Sequence, residues 1–177
     1  MEHDCLTLRT IRVHTRRTGE RELEAKGSLV DELPAVKPCK ECGRHGRQIH
    51  NMTVTLRVRH PDFEITSVET ELSVYPESEC GNAGPVLQKL VGVRIAGGFT
   101  RAVQERIGRE KGCTHLMSLV LSMATPVHHA ALAVFRPDDP DASFFEPMVD
   151  SCLAWRRGGP LHSGIQRGDF PTTGSLE

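Results

Sequence analysis

Met52-Thr53-Val54-Thr55-Leu56-Arg57-Val58 alternates apolar and polar residues without a break. Successive side chains on a strand point to opposite faces, so this run predicts a half-buried β-strand. The same period occupies Leu6-Thr7-Leu8-Arg9-Thr10-Ile11-Arg12-Val13. It is looser from Leu23 to Val30, where Gly27 interrupts it. It returns from Phe63 to Val74, with Ile65 and Val68 out of step by one residue, the mark of a bulge. Turns are expected at Thr18-Gly19-Glu20 and His60-Pro61-Asp62. Such strands, each with one wet face, predict an antiparallel sheet.

The period then changes. Val86, Leu87, Leu90 and Val91 recur at helical spacing. Thr100 is placed to cap a helix that turns Val103 and Ile107 inward. Leu116, Leu119, Val120, Met123, Val127, Ala131 and Val134 lay out a longer apolar face, expected to kink or break at Pro126. The predicted fold is α+β: a small antiparallel sheet from the N-terminal half packed against about three helices from the C-terminal half. One domain is expected over residues 1–159, with a Cys-containing hairpin insertion at about 34–49. The apolar patch from Phe144 to Trp155 should dock back on the body, with a mobile tail over residues 160–177.

Composition excludes several function classes. The 177 residues include 22 basic and 23 acidic side chains, and only 5% are aromatic. There is no charge excess to attract nucleic acid or an anionic membrane, and few rings for stacking on bases. The run around Leu116 to Phe135 is expected to be too broken by Pro126, His128 and His129 to span a bilayer. The start, Met1-Glu2-His3-Asp4-Cys5, has no signal-peptide core, which points to the cytoplasm. Six cysteines in a cytoplasmic chain suggest metal ligands, reactive thiols or buried apolar residues rather than disulfides.

The chemistry concentrates at Gly112-Cys113-Thr114-His115-Leu116. Gly112 is expected in the left-handed conformation that ends a helix, and Thr114 as the N-cap of the next. Cys113 would then sit beside a helix N-terminus, where thiolate is favoured. Cys80, in Ser78-Glu79-Cys80-Gly81-Asn82, stands in a matching loop before Pro85. Asp150-Ser151-Cys152 gives the C-terminal patch a further thiol. The expected metal set is Cys80, Cys113 and His115, with Cys152, holding zinc or an iron–sulfur species. A second set is Cys39 and Cys42, spaced as in a zinc knuckle, with His45 and completion by His50 or His60. His14 and His50 otherwise read as isolated structural residues, and His128-His129 as a solvated face.

Two other readings stand beside the metal. Cys113 could be the nucleophile of a metal-free enzyme, with His115 or His50 as base. The chain could also be an accessory module for a protein partner or small molecule, its cysteines incidental. GxSxG, P-loop, dinucleotide and HExxH motifs are all absent.

The run Leu90-Val91-Gly92-Val93-Arg94-Ile95-Ala96-Gly97-Gly98-Phe99, followed by Gly112-Cys113-Thr114-His115-Leu116, resembles the signature of a bacterial family known as domain of unknown function 2889. Further matches are His14-Thr15-Arg16-Arg17, Gly27-Ser28-Leu29-Val30-Asp31, His50-Asn51-Met52, Pro76 with Cys80, and Asp150-Ser151-Cys152. The resemblance runs from about Ile11 to Gly159 and implies positions rather than a reaction. A weaker likeness, in element order, is to the iron–sulfur scaffold proteins of the IscU and SufU type. It would map Cys80, Cys113 and His115, with Cys152, onto ligand positions, although Asn82 stands where those proteins carry aspartate.

Overall fold

The computed structural model describes residues 7–33, 47–137 and 140–169. Four strands, β1 (Leu8–Gly19), β2 (Glu22–Leu33), β3 (Arg47–Arg59) and β4 (Glu64–Val74), pair antiparallel in the order β1-β2-β3-β4. Both expected turns are present, joining β1 to β2 and β3 to β4. The bulge is present too: Arg57 faces Ser67 but Val58 faces Ile65, so Thr66 is the extra residue.

Five α-helical segments follow: α1 (Ala83–Val86), α2 (Phe99–Ile107), α3 (Thr114–Val134), α4 (Ala142–Phe145) and α5 (Pro160–Gln166). The α+β class is as expected; the helices are more numerous than three because several are single turns. The Val86–Val91 stretch is not one helix but α1 and a 3-10 turn over Leu87–Leu90.

The core lies between one sheet face and α3. Ala25 and Leu29 of β2 and Val54 and Leu56 of β3 are fully buried, as are Leu116, Leu119, Val120, Met123, Val127 and Ala131 of α3. Each such Leu or Val contributes about 1.5–3 kcal/mol through burial. The other sheet face is polar, with ion pairs such as Arg16–Glu24 at 2.7 Å and Arg57–Glu22 at 3.0 Å. Gly27 interrupts the β2 pattern because α3 crosses there: a Cβ on Gly27 would lie 2.9 Å from Met123 Sδ and 3.0 Å from Leu119 Cδ1.

Four local expectations are corrected. α2 begins at Phe99, capped by Gly98 in the left-handed conformation (φ 87°) rather than by Thr100. Gly112 is extended (φ −168°); its smallness is needed because a Cβ would stand 2.6 Å from the Ile107 carbonyl oxygen. Cys113 itself occupies the N-cap of α3, and Thr114 is the first helical residue. α3 is continuous through Pro126. By length and composition this helix is apolar enough to cross a membrane. Its buried face packs on the sheet, as a core helix does.

A second, smaller cluster forms beyond α3. Phe145, Met148 and Ile165 are buried there, with Leu132, Phe144, Trp155 and Leu161 against them. The C-terminal patch therefore docks, and it draws α5 with it: residues 160–166, expected in the tail, form a helix because Ile165 anchors it.

Candidate functional site

Register builds the site. Arg9 on β1 faces Asp31 on β2, and Asp31 faces His50 on β3, so three side chains form a row across the sheet. The row lies on the core face, since Asp31 follows Gly27 and Leu29 at intervals of two and His50 precedes Met52 and Val54. Between Asp31 and Glu32 the β2–β3 register shifts, passing over Ile49 beside His50. The first turn of α3 then brings His115 over the row, its ring centroid 3.8 Å from that of His50.

Burial makes the polar pairing obligatory. Asp31 is 7% exposed and His50 6%. Arg9 donates from Nε to Asp31 Oδ1 (2.6 Å) and from Nη2 to Oδ2 (2.7 Å). His50 Nδ1 lies 2.9 Å from the same Oδ2, the geometry of a ring N–H donating to a carboxylate. His115 Nε2 stands 3.8 Å from Oδ2. The other ring nitrogen of His115, Nδ1, meets the Cys113 thiol at 3.6 Å.

The electrostatics follow from these contacts. The Arg9 guanidinium holds the Asp31 carboxyl below the usual carboxylate range; the His50 N–H adds to this, and burial opposes it. Burial pushes the His115 imidazole below its usual value; His50 and Arg9 add to this, and Asp31 opposes it. The site therefore holds an ionised carboxylate and a neutral His115 near neutral pH, the protonation states that metal ligation requires. Asp31, His50 and His115 each offer a ligand atom, and these atoms lie within 4.8 Å of one another. This is the one such group of three among the described residues.

The expected site residues distribute unevenly around this centre. Cys113 and His115 are together, as their spacing predicts. His50, named for a possible second set and as an alternative base, lies beside His115, because the β3 register aims it at Asp31. Cys80 is half-buried in the 3-10 turn Ser78–Asn82, and Cys152 is exposed. Neither joins a group of three close ligand atoms among the described residues. Cys39, Cys42 and His45 lie outside the described residues. His128 is buried rather than solvated, its Nε2 2.7 Å from the Ile95 carbonyl oxygen.

The sequence reading missed Arg9 and Asp31. A signal for Asp31 was there: the in-facing alternation of β2 continues one step past Leu29, and the residue it reaches is a carboxylate.

A family model described as a protein of unknown function (DUF2889) matches residues 7–129, a span that contains every residue of this centre. No curated protein matches. No solved structure matches, so the likeness to iron–sulfur scaffolds rests on the order of the elements.

Proposed function

The chain belongs to the DUF2889 family, and we propose that it is a metal-binding protein whose centre is Asp31, His50 and His115. The observation that carries this reading is the convergence of three potential ligand atoms within 4.8 Å, drawn from β2, β3 and α3. Two imidazoles and one carboxylate suit a borderline divalent ion such as zinc or iron(II), with coordination positions left for water or substrate. A cluster is less suited, since iron–sulfur centres are held mainly by thiolates and the group itself contains none. In this reading Cys113 is a positioning residue, because His115 ligating through Nε2 leaves its Nδ1–H to the sulfur. Arg9 orients the carboxylate by donating to both of its oxygens. A reducing compartment such as the cytoplasm keeps Cys113 a thiol.

Elemental analysis of the tag-free protein tests the proposal. Stoichiometric zinc or iron is expected. It should be lost in Asp31→Ala, His50→Ala and His115→Ala, and retained in Cys80→Ser. In Cys113→Ser the affinity should fall by about 10–100-fold, as for outer partners of metal ligands. Protein that is metal-free as isolated and takes up neither zinc nor cobalt after dialysis would overturn it.

A second reading is favoured by one observation: the Cys113 thiol already faces a ring nitrogen at 3.6 Å. There Cys113 is a nucleophile, His115 its base, and Asp31 with His50 the support behind that base. Iodoacetamide labelling decides it. The metal-free enzyme requires rapid alkylation of Cys113 that slows in His115→Ala.

A further inference from the structure

A cavity of about 530 Å³ lies between the N-terminus of α2, the second half of α3 and the segment around Trp155. It is remote from the Asp31 centre. His128, in its wall, follows His115 by more than three helical turns, about 20 Å along the axis.

Two independent features face this cavity. The first is the start of α2, where Gly98 caps the helix with no side chain to offer. The Phe99 amide donates to the Ala96 carbonyl, while the amides of Thr100 and Arg101 follow without a side-chain cap. Such amides, at the positive end of a helix, bind anions. The second feature is His128, 9% exposed. Its Nε2 lies 2.7 Å from the Ile95 carbonyl, which fixes the proton on that nitrogen. Burial, together with His129, keeps the ring neutral against the pull of that carbonyl. Nδ1 is then a lone-pair acceptor, and no donor among the described residues meets it.

The remaining lining suits a small organic molecule. Trp155, Leu132, Phe99 and Met148 give apolar surface. Asp150 is the carboxylate in the wall, and Arg157 takes it up through its backbone amide (2.8 Å) and its Nε (3.4 Å). Arg101 adds a positive charge at the rim, shared with Glu105 at 2.8 Å.

We propose that this cavity binds a small organic carboxylate bearing a hydroxyl group. The carboxylate lies on the α2 amides, the hydroxyl donates to His128 Nδ1, and the body packs against Trp155.

Trp155 is the single tryptophan of the chain, so its fluorescence reports on this cavity directly. The test is titration of the whole protein with 4-hydroxyphenylacetate, followed by Trp155 emission and by calorimetry. Saturable binding is expected. Phenylacetate, lacking the hydroxyl, and 2-(4-hydroxyphenyl)ethanol, lacking the carboxylate, should each bind at least tenfold more weakly. Binding should fall at least tenfold in His128→Phe and in Thr125→Phe. Should His128→Phe fail to fold, with the Ile95 carbonyl left unpaired, Thr125→Phe carries the test by filling the space. No saturable binding, or equal binding of all three compounds, or binding unchanged in both Phe variants, overturns the proposal.

Discussion

Gly112 has no room for a side chain, and the obstacle is backbone. A Cβ there would stand 2.6 Å from the Ile107 carbonyl oxygen, an atom that cannot move without unwinding the end of α2. Gly112→Ala should therefore cost about 1–3 kcal/mol in urea unfolding, as overpacking does. It should also displace the neighbouring Cys113, read as slower or faster alkylation of that thiol. Unchanged stability and labelling would show that the loop yields freely. The sequence made this glycine conspicuous but not its reason, because φ and a non-local clash look alike in one dimension. The same holds for the centre. Cys113 and His115 are legible because they are two residues apart. Arg9, Asp31 and His50 are brought together by register, which alternation constrains only face by face.

At the scale of the element, α3 carries the second cluster of consequences. It spans Thr114–Val134 with Pro126 inside it. A proline in a helix interior removes a hydrogen bond and costs about 3 kcal/mol. Pro126→Ala should thus stabilise the protein by up to about 3 kcal/mol, seen as a higher urea midpoint at an unchanged slope. A lower midpoint would mean that the proline ring contributes packing that offsets its helix penalty. Periodicity predicted the apolar face of α3 correctly, because burial on the sheet demands it; of the kink or interruption expected at Pro126, the interruption does not occur, because tertiary packing overrides local propensity. Gly27 shows the same coupling from the sheet side. Met123 occupies the space where its side chain would be, so Met123→Ala should leave a cavity and cost about 2–5 kcal/mol.

For the whole molecule, pH dependence follows from one half-buried and one buried imidazole. Burial lowers His60, which stacks on Phe135 at 4.5 Å; Arg21 adds to this and Asp62 opposes it. Burial also lowers His128. In the unfolded chain both bind a proton below about pH 6.5; in the folded protein they resist it to lower pH. The unfolded state then holds more protons, so stability should be complete above about pH 6.5 and decline as pH falls below it. Asp31, held low by Arg9, adds a contribution present above about pH 3.9 and lost on further acidification through its folded value. Urea unfolding at about pH 7.5 and about pH 5 checks the sign. His60→Gln should flatten the slope, and stability rising toward pH 5 would contradict it. The α+β class was legible throughout because sheet and helix periods occupy separate halves of the chain. The docking of α5 was not, since only two apolar side chains, Leu161 and Ile165, carry it.

The row of Arg9, Asp31 and His50 exists only when three strands are aligned to the residue. A slip of one position in β2 would turn Asp31 outward with Leu29 and Gly27, and the row would vanish. An ion or substrate gripped by these side chains recognises the aligned sheet alone and stabilises it by mass action, about 2.7 kcal/mol at a hundredfold excess over its dissociation constant. In the metal reading proposed above, occupancy of the centre would thus double as quality control of strand alignment.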